Sequence, residues 1–157
     1  MIEMGKLQGL SMDKAELFGK PHVGCEYTSY ESGAYHVLDG ARCVVCGSYH
    51  PLNAHHVCQR SVRHTFVLGD HTLRSPLMCL CGSGTQGCHG LLHAGRFAVR
   101  WEWDSDEHME AWWSGELLDR HGPHSDELYK YGRYLITDRM RGFDMTVRGN
   151  PFGRRDN

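Results

Sequence analysis

The sequence predicts a mixed α+β chain. Two short helical runs (12–18 and 88–94), a period-two run of large apolar residues (97–103) and two cysteine pairs around the middle of the chain predict it. At 157 residues the whole chain, 1–157, fits a single domain that can bury a core of its own.

The elements follow in order. Ser11 precedes an amphipathic stretch that Gly19 and Pro21 end, which reads as a short capped helix and a peripheral adornment. Residues 27–37 are rich in Tyr, Ser and Gly without clear period, so irregular structure or a weak strand without chemistry is expected. A turn is expected around Cys43-Val44-Val45-Cys46-Gly47, then a loop with Pro51 and Asn53 and a short strand entering at Ala54. Residues 60–74 read as a turn or long loop before the apolar run 77–80. Three glycines make 82–87 a loop, and 88–94 fits two helical turns ended by Gly95.

Phe97, Val99, Trp101 and Trp103 then alternate with smaller or polar residues as in a half-buried strand, and they read as core rather than as a base-stacking platform. Asp104 with Glu107 resembles a capping box, and Met109, Trp112, Trp113 and Leu117 recur at helical spacing. A further helix is expected from Ser125 to about Arg141, with Leu128, Tyr131 and Leu135 inward.

Composition narrows the function. No run of 18 or more apolar residues could cross a membrane, and residues 1–10 lack a basic head and an apolar signal core, so a soluble, cytoplasmic protein without membrane partners is expected. Seven cysteines, odd in number and clustered, point to metal thiolates in a reducing compartment rather than to disulfides, and twelve histidines agree. Net charge is only -2, but its distribution is uneven. Residues 54–100 carry five arginines against Asp70, whereas 101–131 carry nine acids against two bases. From 132 onward six arginines face three aspartates, a segment that reads either as a phosphate-tracking tail or as a solvated terminus.

The chemistry lies in the cysteines and histidines. Cys43 and Cys46 are two residues apart and Cys81 and Cys88 six, and four thiolates suit a tetrahedral structural zinc. Cys79 rivals Cys81 but sits in an apolar run and reads as a core thiol, while Cys25 and Cys58 have no partner at chelating spacing. His55 and His56, adjacent on a strand, must point to opposite faces. His89 and His93, at i and i+4, share one helix face within reach of a single ion.

Cys-Val-Val-Cys-Gly at 43–47, Ala-His-His-Val at 54–57 and Leu-Cys-Gly-Ser-Gly-Thr-Gln-Gly-Cys-His-Gly at 80–90 together resemble the HNH nucleases, the last run especially those encoded by bacteriophages. The resemblance covers about a third of the chain. It implies a beta-beta-alpha-metal (His-Me finger) core with zinc-binding knuckles over about 40–96, an added C-terminal strand, and a helical extension over about 104–157. It further implies His55, His89 and His93 as ligands of a catalytic divalent ion, His56 as general base, and a separate structural zinc on Cys43, Cys46, Cys81 and Cys88. The implied activity is hydrolysis of DNA to 5′-phosphate and 3′-hydroxyl ends with magnesium or manganese, zinc or nickel being the other candidates.

Arg60, Arg63, Arg74 and Arg96 are the expected DNA contacts. A phage-encoded enzyme would work in the host cytoplasm, in recombination or beside packaging proteins, and as a homodimer if it cuts both strands. The sequence departs from the family at its middle asparagine, where Pro76 stands beside Ser75, with His71 or Ser75 as the candidate substitutes. Two rival expectations remain: a silent zinc module that binds nucleic acid or protein, and a single zinc shared by cysteines and histidines.

Overall fold

The computed structural model describes residues 10–49, 51–58 and 65–149, and it is α+β, with small antiparallel sheets and few, short helices. Helix α1 (Met12–Leu17) starts where Ser11 accepts a hydrogen bond from the Lys14 amide, and it ends as Phe18 turns extended. It is no adornment: Ala15 and Phe18 are fully buried, and the helix packs on the strand at Phe97–Trp103.

The stretch expected to be irregular is a hairpin, β1 (Cys25–Ser29) with β2 (Ala34–Val37), bulged between Tyr27 and Ser29. Its β-formers, Tyr27, Thr28, Tyr35 and Val37, are split by that bulge and by turn residues, which hides the alternation. Strand β3 (Leu52–His56) begins two residues earlier than Ala54 suggests and takes in Asn53. The expected loop before residue 74 contains a second hairpin, β4 (Thr65–Leu68) and β5 (His71–Arg74), joined by Gly69-Asp70 with Gly69 at φ +60°. Phe66 and Leu73 form a cross-strand pair facing the core while Val67 faces out.

Strand β6 (Leu77–Cys81) is buried along its whole length and pairs antiparallel with β3, His55 opposite Met78 and His56 opposite Leu77. A turn then leads into α2 (Gly87–His93), which Gly95 follows at φ +86° as expected.

Strand β7 (Phe97–Trp103) is the expected strand, and it edges a three-stranded antiparallel sheet with β8 (Gly132–Asp138) and β9 (Phe143–Val147). The helix expected from Ser125 to Arg141 is therefore wrong. Only a 3-10 turn at Asp126–Lys130 forms before β8. Tyr134, Leu135, Ile136 and Thr137 favour a strand, and Gly132 allows tight pairing, since a Cβ there would sit 2.6 Å from the Glu102 carbonyl oxygen. The extension after residue 104 is thus helical only in its first part, α3 (Asp106–Trp113) and α4 (Glu116–His121), separated at Gly115 with φ +89°. The cap of α3 is Ser105, one residue past the expected Asp104, which instead binds Arg133 and Arg148.

One core contains Lys20, which is fully buried, with Nζ 3.5 Å from the ring centroid of Trp112 and 4.8 Å from that of Trp103. The ammonium has no hydrogen-bond partner, and buried Glu16, on α1 four positions earlier in the chain, accepts a hydrogen bond from Trp103 Nε1 at 2.8 Å. Burial pulls the Lys20 pKa down to about 7, the Glu16 charge resisting, and burial raises that of Glu16. The folded-state pKa of Lys20 lies below its unfolded value of about 10.5, so the unfolded chain holds more protons between the two. We expect Lys20 to make stability rise with pH from about 7 to 10.5, and Lys20→Met to remove that rise. Urea unfolding of both proteins across this range checks it, and parallel profiles would refute it.

Candidate metal centres

The first centre is built from two turns. Gly47 N–H bonds the Cys43 carbonyl and Cys43 N–H bonds that of Ser48, which folds the Cys43–Cys46 knuckle over the end of β6. Cys81 closes β6 and Cys88 lies in the first turn of α2. The six-residue gap between them closes because Gly82 and Gly87 lie at φ +90° and +67°, and a Cβ on Gly82 would lie 2.1 Å from the Gln86 carbonyl oxygen.

The four sulfurs, Cys43, Cys46, Cys81 and Cys88, lie within 4.8 Å of one another, Cys46 and Cys81 at 3.5 Å. Tetrahedral zinc with bonds of about 2.3 Å would separate its sulfurs by about 3.8 Å, so the cluster can hold a metal ion such as zinc. Cys88 N–H points at Cys81 Sγ from 3.4 Å, the amide contact that steadies a thiolate. All seven cysteines are free thiols, and the rival Cys79 bonds to Cys25 instead.

The second centre joins β3 to α2. His55 is buried on the face of β3 toward the helix, and the helical spacing of His89 and His93 aims both rings at it. His55 Nδ1 is 3.1 Å from His89 Nε2, and His93 Nε2 is 3.0 Å from the same atom. A ring nitrogen carries one proton or one lone pair, so His89 Nε2 can satisfy only one of these neighbours. A cation resolves the conflict, because bonds of about 2.0–2.1 Å place cis nitrogens about 3–3.4 Å apart. Burial pushes the His55 pKa down to about 3, helped by His89 and His93, and lowers that of His89, which keeps both rings in the neutral ligand form. The three imidazoles form a group apart from the four sulfurs, contrary to the expectation of one shared zinc.

His56 points the other way, toward the β1–β2 hairpin, as strand alternation requires. The Tyr27 hydroxyl donates to the Ser75 carbonyl at 3.2 Å and lies 3.4 Å from His56 Nε2, while the Tyr35 ring stands edge-on at 5.0 Å. With its proton directed to the Ser75 carbonyl, the Tyr27 oxygen can accept from His56 Nε2, a contact that would favour the Nε2–H tautomer. The segment expected to carry no chemistry therefore frames this histidine. Nothing in the local sequence signals a tyrosine contact that spans 29 positions.

Ser75 Oγ accepts the Cys58 N–H at 2.6 Å and Val57 N–H bonds the Pro76 carbonyl, so the exit of β3 is tied to the entry of β6. Of the two residues expected to substitute near Pro76, Ser75 makes this tie, whereas His71 pairs with Asp119 at 2.8 Å.

The expected DNA-binding arginines fare unevenly. Arg60 and Arg63 lie outside the described residues. Arg74 bonds the Tyr30 carbonyl and lies over the rings of Tyr27 and Tyr30, and Arg96 forks onto Asp138 at 3.1 and 3.2 Å. Beside His55 opens a cleft of about 640 Å³ whose lining includes Lys14, Arg100 and Arg139. Among the described residues no helix is long and apolar enough to cross a membrane. The chain matches no protein-family model, no curated protein and no solved structure.

The two centres predict separable metal losses. Cys43→Ser should cost zinc and much of the folding free energy together, because a structural zinc contributes to folding directly. His89→Ala should leave the fold and the cysteine-bound zinc intact while removing the second ion. Elemental analysis with thermal unfolding checks both, and a folded, zinc-loaded Cys43→Ser protein would refute the four-cysteine site.

Proposed function

We propose that this chain is a metal-dependent DNA endonuclease of the HNH type, with β3, β6 and α2 as its beta-beta-alpha-metal core. The convergence of His55, His89 and His93 from a strand and a following helix, next to His56, carries the reading. Magnesium or manganese would serve in the cell, zinc or nickel being able to occupy the same nitrogens. When bound, the ion supplies positive charge for the phosphoryl and leaving oxygens of a phosphodiester.

The chain's own residues do the rest. His56 takes the proton of a water whose oxygen attacks phosphorus; the bond to the 3′ oxygen breaks, a solvent water supplies that oxygen's proton, and His56 returns its own proton to solvent. The products are a 5′-phosphate and a 3′-hydroxyl. Tyr27, itself anchored on the Ser75 carbonyl, holds the imidazole in the required tautomer. His55, kept neutral by burial, stays a ligand under mildly acidic conditions. Resemblance to bacteriophage HNH proteins would place the enzyme in DNA packaging or recombination.

A second reading, a silent zinc module that binds nucleic acid or protein, draws on Pro76 in the place of the asparagine and on the tyrosines packed around His56. Nicking of supercoiled plasmid with magnesium, manganese, nickel or zinc separates the two. His56→Ala should abolish cleavage with fold and metal content unchanged, whereas no cleavage by the unaltered protein with any metal favours the silent module.

Tyr27→Phe should lower kcat about tenfold with KM little changed and shift the acid limb of the pH–rate profile. An unchanged profile would show that the hydroxyl does not orient the base.

A further inference from the structure

We propose that the cleft beside His55 is the track for one phosphodiester strand of duplex DNA, held by Lys14, Arg100 and Arg139. The nuclease reading supplies the identity of the polyanion; the track itself rests on geometry. Lys14 and Arg100 are not among the arginines that the sequence singled out as DNA contacts, whereas Arg139 belongs to the basic segment from 132 onward that reads either as a phosphate-tracking tail or as a solvated terminus.

The cleft is bounded by α1 on one side and by the β7–β8 strands on the other, and it reaches the metal centre at His55. Asp13 is the one acid among the described residues that line it, against three cations. Lys14 and Arg139 are exposed, and Arg139 makes a bond to the Gly95 carbonyl at 3.3 Å. Arg100 is half exposed and forms ion pairs with Glu102 and Asp144 at 3.6 and 3.7 Å, too long for hydrogen bonds, so a phosphate would compete with these carboxylates for its donors.

Spacing fits a strand running along the sheet. The pairing of Phe97 with Asp138 sets Arg139 opposite Arg96, just past one end of β7, and Arg100 lies four residues farther along. That is about 13 Å at about 3.3 Å per residue, or about four base-pair steps measured along a duplex axis. Lys14 supplies charge from the opposite wall, and the hydroxyl of Ser11 offers a neutral donor. The apolar side chains of Leu17, Leu92 and Val99 in the lining lower the local dielectric, which strengthens each cation's pull on a phosphate.

The test separates binding from chemistry. Fluorescence anisotropy with a labelled 20-base-pair duplex, without added divalent ion, is run over a salt series for the unaltered chain, Lys14→Gln, Arg139→Gln and the double variant. Hydrolysis of bis(p-nitrophenyl) phosphate, too small to reach along the track, is measured beside it. Each substitution should reduce the slope of log K against log salt by about one, the double variant by about two, with small-diester turnover unchanged. If neither substrate is cleaved but the slopes still fall, the track stands and the nuclease reading falls. Equal slopes in all four proteins, no DNA binding by the unaltered chain, or polyglutamate competing as well as unlabelled DNA at equal charge would each overturn the track.

Discussion

The ladder between β3 and β6 is the constraint on which both metal centres depend. It sets His55 opposite Met78, so the ring faces α2, and it ends with Leu52 opposite Cys81, where the chain turns toward Cys88. A slip of one residue would exchange His55 with His56 on the helix-facing side and undo the imidazole cluster. Burial along all of β6 enforces the register, because Leu77 through Cys81 have no solvent face onto which a slipped pairing could turn them. Ser75 Oγ and the Pro76 carbonyl clamp one end of the ladder, while Gly82 N–H bonded to the Pro51 carbonyl closes the other.

The two centres divide the labour that a small chain must share between stability and chemistry. The four thiols lie mostly buried among Val44, Leu80 and Phe97, where a bound ion would staple the knuckle to the end of β6 and the start of α2. Of the three imidazoles, buried His55 lines the cleft, and the cluster runs out to exposed His93. Stiffness at the first centre serves the second, since α2 carries Cys88 and His89 side by side. Whatever fixes the sulfur fixes the helix face that bears the nitrogens.

Much of this was legible in the sequence wherever a signal is local. The knuckle spacing, the i, i+4 histidines, the adjacent His55 and His56, the cap at Ser11 and the alternation of Phe97–Trp103 each report one turn or one strand. What escaped is long-range or balanced between periods. Leu128, Tyr131 and Leu135 fit a helix by spacing alone, yet Gly132 and the run Tyr134-Leu135-Ile136-Thr137 belong to a strand whose partner, Trp101, lies 33 residues away. The bracing serine is one of many serines until the fold sets it on the Cys58 amide. The cations beside the metal centre come from residues 14, 100 and 139, and no window of sequence contains them together.

On the proposed reading, the tyrosine frame around His56 bears on how a base and an ion could work from adjacent residues of one strand. Alternation turns their side chains to opposite faces, so the strand presents His55 to the helix and His56 to the hairpin. The hairpin that supplies Tyr27 and Tyr35 is held by Val23, whose N–H and carbonyl bond Leu77 and Cys79 of β6. Strand β6, one edge of which sets the register of His55, thus also holds through its other edge the hairpin whose tyrosine rings flank His56.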